Sequence, residues 1–150
     1  MKGNNGKLSL SRQNYLETVF ALCQSHGHAH GKAIAEQLGV SMPSVSEALQ
    51  AMADAGIICH HRRQAATLTP KGAAIARELA DRHAVLAAFY ETVLGCSRRR
   101  ADQLACRVEH VVDADFTRRM RRTLRLLRQA MAPSGATSVT EWLKPRSRVT

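Results

Sequence analysis

The chain has 150 residues, and its 22 Lys and Arg against 12 Asp and Glu leave a formal net charge of +10. With 45% hydrophobic but only 4% aromatic residues, the composition excludes wholesale disorder and leaves little material for a large β-sandwich or barrel. No run approaches about 18 apolar residues and residues 1–10 are polar, so neither a membrane span nor a signal peptide is expected, and the predicted location is the cytoplasm. Gly3, Asn4, Asn5 and Gly6 mark residues 1–10 as a flexible lead-in. Ser11 is the expected cap of a first helix running to about Ser25, with Tyr15, Leu16, Val19, Phe20 and Cys23 as its apolar stripe. A short helix is predicted from Ala29 to Leu38. Gly39 and Val40 then make a tight turn, with Leu38 and Val40 both read as buried. Ser41 caps a third helix from Met42 to about Ala55, and Pro43 sits in its first turn, where a missing donor is tolerated.

Beyond Gly56, Ile57–Cys59 and Ala66–Leu68 read as two short strands joined by the charged turn Arg62–Gln64, a β-hairpin wing. Thr69 and Pro70 open a long helix to about Leu94, and Ser97 caps the next. The last helix runs from Asp113 to about Met131. Phe116, Met120, Leu124, Leu127 and Met131 line one side of it, and Arg118, Arg119, Arg121, Arg122, Arg125 and Arg128 cover the rest. The predicted fold is mainly α, with a winged helix-turn-helix over 11–76, a helical domain over 77–132 and a weakly ordered basic tail over 133–150.

The basic balance makes nucleic acid the leading partner class. Net charge is +3 over 1–76, +5 over 77–132 and +2 over 133–150, so most of the excess lies outside the segment that reads as DNA-binding. That segment is KAIAEQLGVSMPSVSEALQAM, Lys32 to Met52. Its second helix presents Ser41, Pro43, Ser44, Ser46, Glu47 and Gln50, short polar groups that let a helix lie deep in the major groove. Glu47 fits less well, since an acid in the groove needs a cytosine amine or a neighbouring side chain to answer it. Arg62 and Arg63 of the wing are placed to reach the backbone or minor groove. Lys32, Arg98, Arg99 and Arg100 are candidates for nonspecific contact. The competing reading is an ordinary helix pair in a helical domain.

In the second half, Cys106, Glu109 and His110 stand at i, i+3 and i+4, so on a helix three ligand-type side chains share one face. Asn14 and Glu17 have the same i, i+3 relation, and His83 lies midway along the long helix. Thiolate, imidazole and carboxylate form a borderline-soft set suited to Fe²⁺, Co²⁺, Ni²⁺ or Zn²⁺. Spacing alone leaves the alternative open that Glu109 and His110 are a surface pair and Cys106 a small core residue. His26, His28 and His30 alternate in a separate cluster, read more readily as a polar loop than as a second site. Cys23, Cys59, Cys96 and Cys106 contain no CxxC pair and are expected to be thiols.

Residues 11–132 resemble the diphtheria-toxin-repressor and manganese-transport-regulator family of metal-dependent transcriptional repressors. The resemblance rests on NYLETVFAL (Asn14 to Leu22), IAEQLGVSMPSVSEAL (Ile34 to Leu49), LTPKG (Leu68 to Gly72), DRHAVLAAFYETVLG (Asp81 to Gly95) and CRVEH (Cys106 to His110), in that order. It implies a DNA-binding domain followed by a helical dimerisation and metal-binding domain. It implies a homodimer that binds a palindromic operator in double-stranded DNA when loaded with metal, and no membrane partner. It also implies a metal site of Asn14, Glu17, His83, Cys106, Glu109 and His110. Asn14 replaces the Met or Asp of other members, and Cys106 is the choice of the iron type, so Fe(II) is favoured, with Mn(II), Zn(II), Co(II) and Ni(II) as alternatives. Ala87 and Asp102 stand where iron-type members carry the Glu and His of a second site, which implies that site is incomplete. The 18 residues after Ala132 are too few for the SH3-like domain of longer members.

The expected protein is therefore a metal-dependent repressor of metal-homeostasis genes and not an enzyme. A thiol-responsive regulator without metal control is the competing reading, since four cysteines offer the chemistry. A zinc enzyme built on the Cys, Glu, His set lacks a separate base or phosphate loop in the sequence. The last-helix arginines read as a solvated face answered by acids of the dimer mate, in preference to phosphate contacts.

Overall fold

Leu8 packs against the core and its carbonyl accepts from the Gln13 side chain at 2.7 Å, which holds the chain at the threshold of the first helix. The computed structural model describes residues 8–60 and 64–144. Because Leu8 is anchored, the cap falls on Ser9 rather than the expected Ser11, and α1 spans Leu10–His26. The Ser9 hydroxyl accepts from the Arg12 amide at 3.4 Å. Tyr15, Leu16, Val19 and Leu22 are buried along α1, and Phe20 and Cys23 are half-buried beside them.

The second helix starts later than its sequence suggests. Ala29 exchanges two 2.8 Å backbone hydrogen bonds with Ala66, an antiparallel bridge that fixes it in extended conformation. Helix α2 therefore begins at Gly31 and ends at Leu38. Gly39, at φ 64°, makes the left-handed turn that only glycine adopts without strain. That turn carries Val40 outward, 36% exposed, instead of into the core. Helix α3, Met42–Asp54, buries Val45, Leu49 and Met52, which join Leu16 and Val19 of α1 and Ile34 of α2 in one core. Strands β1 (Ile58–Cys59) and β2 (Thr67–Leu68) pair antiparallel with Ile58 opposite Leu68 and Cys59 opposite Thr67. Arg62 and Arg63, expected in the turn of this wing, lie outside the described residues.

The stretch LTPKG at the end of the wing has a packing explanation. Thr69 donates its hydroxyl to the carbonyls of Gly56 and Ile57 at 2.8 and 2.9 Å and accepts from the Gly72 amide at 3.0 Å. It thereby caps α4 (Pro70–Thr92) and ties that helix to the start of β1. Lys71 donates to the Ala55 carbonyl at 2.8 Å, at the C-terminal end of α3, where a cation is favoured. Gly72 lies so close to β1 that a Cβ there would sit 1.9 Å from the Ile57 carbonyl oxygen. Thr, Lys and Gly are each required by a different contact.

The chain divides into two compact units between Ala80 and Asp81, within α4. In the second unit, α5 (Arg98–Val108) is capped by Ser97 and packs through Ala101 and Ala105, both fully buried, against Val85 and Leu86 of α4. Helix α6, Ala114–Met131, is capped by Asp113, which accepts from the Phe116 amide at 2.7 Å. Its buried line runs through Thr117, Met120, Leu124 and Met131. Thr117 takes a core position because its hydroxyl is satisfied by the Asp113 carbonyl at 2.8 Å. Phe116, expected on this line, lies about 70° round the axis from its mean direction and is 52% exposed. Leu127 is half-buried.

Several arginines of α6 find partners within their own chain, where acids of a dimer mate were expected. Arg118 and Arg119 bind Asp115 at 2.9 and 2.7 Å, and Arg121 pairs with Asp81. The Arg119 and Arg118 hydrogen bonds hold the Asp115 carboxyl below its ordinary range. After a 3₁₀ turn at Ala132–Ser134, Ser138 caps α7 (Val139–Trp142). The Thr140 hydroxyl lies where a Cβ on Gly95 would be, 2.4 Å away, so this part of the basic tail is packed down. Among the described residues no helix is long and apolar enough to cross a membrane.

Replacing Gly72 by Ala is expected to cost about 3 kcal/mol, because the obstacle is backbone that cannot repack. Urea denaturation of the full chain checks this, and a loss below about 0.5 kcal/mol would show that α4 can move away from β1.

Candidate metal centre and nucleic-acid interface

In the second unit, α5 ends at Val108 and Glu109 follows as its cap, still in right-handed helical conformation (φ −55°, ψ −31°). Its amide donates to the Ala105 carbonyl at 2.9 Å. That last turn aims the Glu109 side chain inward, where it is 2% exposed. A carboxylate so withdrawn from water needs compensation. Two imidazoles supply it: His83 Nδ1 lies 2.7 Å from Glu109 Oε2, and His110 Nε2 lies 3.6 Å from Glu109 Oε1. His83 comes from the middle of α4 and His110 from the turn after α5, so the packing of α5 on α4 assembles the cluster.

The sequence expectation of one shared helix face for Cys106, Glu109 and His110 is met only in part. The helix stops at Val108, and at 100° per residue Cys106 lies about 60° round the axis from Glu109. Cys106 is exposed while Glu109 is buried. The thiol instead lines an open groove of about 590 Å³ together with His83, Arg100, Asp102 and Arg107. Asp102 belongs to this neighbourhood as well, with Oδ1 3.6 Å from His83 Nε2. His83 thus stands between two carboxylates. Since an ionised carboxylate only accepts, the ring donates from Nδ1 to Glu109. The i, i+4 spacing of Asp102 and Cys106 was a legible signal that these two share the groove.

Around Glu109 the structure gathers two imidazoles on one buried carboxylate, while the Cys106 thiol and the Asp102 carboxylate stand on the adjoining groove beside His83. These are donor types suited to a divalent transition ion more than to Mg²⁺ or Ca²⁺. Asn14 and Glu17 lie on α1 in the first unit, Asn14 exposed and Glu17 half-buried.

In that first unit, Ser41, Pro43, Ser44, Ser46, Glu47 and Gln50 are all exposed along α3, opposite the buried Val45 and Leu49. The Ser41 hydroxyl caps the helix and lies 2.9 Å from that of Ser44. Gln50 donates to Asp54 at 2.8 Å, which steadies its amide along the helix. Ser46 and Gln50 open onto a groove of about 870 Å³ whose other walls include Lys32, Met42, His60 and Gln64. Lys32 is 4.0 Å from Glu36 with its side chain in solvent. Arg98, Arg99 and Arg100 are exposed in the first turn of α5, where the helix dipole opposes cations and an external anion would be welcome. No disulfide links the cysteines. Cys23 is half-buried with its thiol 3.7 Å from the Ala66 carbonyl, and burial pushes its pKa up.

Two family profiles match the chain. One is described as the iron dependent repressor N-terminal DNA binding domain, over residues 7–66, and the other as the iron dependent repressor metal binding and dimerisation domain, over residues 69–136. The HTH-type transcriptional regulator MntR of Lysinibacillus sphaericus is 30% identical over 83 residues, covering 55% of this chain and 60% of the relative. The MntR of Listeria welshimeri is 29% identical over a stretch of the same length, 58% of that protein. The chain thus spans less than two thirds of the regulators it matches. Among solved structures, the metal-dependent transcriptional regulator MtsR superposes with a TM-score of 0.69 at 27% identity, covering 76% of this chain and 53% of that one. The manganese regulator SloR superposes with a TM-score of 0.66 at 25% identity, over 76% and 53%.

Alkylation should rank the thiols by this geometry. Cys59 and Cys106, both exposed, are expected to react with iodoacetamide at least tenfold faster than Cys23 at neutral pH, read by peptide mass spectrometry. Equal rates would show that the wall around Cys23 opens freely.

Proposed function

The chain belongs to the iron-dependent repressor family of metal-dependent transcriptional regulators, and on that premise we propose that it is a homodimeric repressor whose operator affinity is raised by a divalent transition metal. The observation that carries this reading is Glu109, a buried carboxylate flanked by His83 and His110. A divalent ion there would bring the carboxylate a full opposing charge in addition to its imidazole contacts.

We propose that His83, Cys106, Glu109 and His110 hold the ion and that Asn14 and Glu17 of the first unit complete its shell. Ligands drawn from both units couple metal binding to the setting of the two recognition helices of a dimer, which must meet half-sites about one helical turn apart. By linkage, operator DNA raises metal affinity by the same factor as metal raises DNA affinity. Ser41, Pro43, Ser44, Ser46, Glu47 and Gln50 read the major groove of a palindromic site, and Arg62 and Arg63 approach the backbone from the wing. Lys32 and Arg98 to Arg100 add nonspecific phosphate attraction, weakened by salt. The regulated genes are those of metal homeostasis. Fe(II) is the proposed ion because Cys106 matches the choice of the iron type in the family that the chain resembles; the thiol also ranks Zn(II), Co(II) and Ni(II) ahead of Mn(II).

Fluorescence anisotropy of the metal-stripped protein on the duplex upstream of its own gene tests the reading. Anaerobic Fe²⁺ should tighten binding at least tenfold, about 1.4 kcal/mol, on that duplex and not on a scrambled one. In Glu109→Gln and Cys106→Ser the metal-free affinity should persist while the metal effect falls. Tight specific binding indifferent to every metal would discard the sensor and point to thiol control.

A further inference from the structure

We propose that His28 and His30 form a second, chelating site for a borderline divalent ion of the Zn²⁺, Ni²⁺ or Cu²⁺ class, in the DNA-reading unit and independent of the Glu109 cluster. The two residues flank Ala29, which is fully buried and locked in extended conformation by its double hydrogen bond to Ala66. In an extended segment residues i and i+2 project to the same side. With Ala29 turned inward and its backbone bonded to Ala66, both flanking imidazoles are turned outward. Both are exposed.

Their rings meet edge to face, with centroids 4.7 Å apart and planes at 86°, and the two Nε2 atoms are 3.1 Å apart. Two nitrogens at that distance cannot both point bare lone pairs at each other, so a proton or a cation belongs near the line between them. With metal–nitrogen bonds of about 2.0–2.1 Å, one ion spaces two imidazole nitrogens by roughly 2.9 Å at a right angle and roughly 3.3 Å at a tetrahedral one. The observed gap falls inside that range. His30 is also diverted from the role its position offers. It is the residue before α2, yet its side chain makes no capping hydrogen bond and faces His28 instead. Imidazole pairs with remaining positions open to water suit Zn²⁺, Ni²⁺ and Cu²⁺ better than Mg²⁺ or Ca²⁺.

The test is a titration of the full, metal-stripped chain, with two readouts. By calorimetry with Zn²⁺, His28→Ala/His30→Ala should lose one equivalent relative to the parent chain, and each single variant should bind that equivalent at least tenfold more weakly. In Glu109→Gln the same equivalent should remain, so this site stands or falls apart from the proposed sensor. By nuclear magnetic resonance, substoichiometric Cu²⁺ should broaden the amide signals of Ala29 and Ala66 in the parent chain and spare them in the double variant. An unchanged Zn²⁺ count in the double variant would overturn the site, as would Ala29 and Ala66 signals untouched by Cu²⁺; the 3.1 Å contact would then be a shared proton only.

Discussion

The position of Glu109 constrains the second unit more than any other single group. Its carboxylate is almost wholly withdrawn from water, and an uncompensated charge in such a place would cost several kcal/mol. The compensation is local and specific: one imidazole from α4 and one from the residue that follows. That requirement dictates that α5 must pack tightly on α4, which the fully buried Ala101 and Ala105 permit, and that the helix must end where its last turn still aims Glu109 inward. A buried carboxylate faced by two imidazoles is an arrangement of groups that can accept a cation. The same residues that complete the apolar packing therefore prepare a binding site.

The first unit solves a different problem, the presentation of one helix face. Helix α3 is held by its buried Val45, Leu49 and Met52, by the Lys71 side chain on the carbonyl of its cap residue Ala55, and by β1 and the Thr69 latch beyond it. What remains outward is a row of serines with Pro43, Glu47 and the Gln50 amide. The LTPKG stretch fixes the frame of α3 through the Lys71 contact at its C-terminal end and the Thr69 latch beyond it. Because α4 emerges from this latch and continues to His83, one helix carries both the anchor of the first unit and the imidazole that meets Glu109.

Much of this was legible in the sequence because its signals are local. Capping serines at 41 and 97, Asp113 before α6, Pro43 in a first turn and the glycine of the 39–40 turn each act through immediate neighbours, and each behaves as read. Misreadings arose where a distant contact decides. Ser9 displaces Ser11 as cap because Leu8 is held by the core. Ala29 leaves the second helix because Ala66 claims its backbone. Phe116 loses its inward place to Thr117, a residue that polarity alone sends to the surface, because the Asp113 carbonyl satisfies its hydroxyl. The candidate ligands His83, Glu109 and His110 were readable from spacing and resemblance. The approach of Asp102 to His83, and the separation of Cys106 from Glu109 by burial, depend on how α5 is rotated about its axis, which spacing does not specify.

The central claim is that the Glu109 cluster is a metal centre, and Co²⁺ absorption spectroscopy tests it most directly. Titrated into metal-stripped chain under anaerobic conditions, Co²⁺ should give visible d–d bands of a low-symmetry nitrogen, oxygen and sulfur site that saturate with tight binding. Cys106→Ser should remove the thiolate charge-transfer band while d–d bands remain, and Glu109→Gln should weaken binding at least tenfold. Parent-like spectra and affinity in Glu109→Gln would contradict the account, since the buried carboxylate would then be a packing feature with no part in holding the ion.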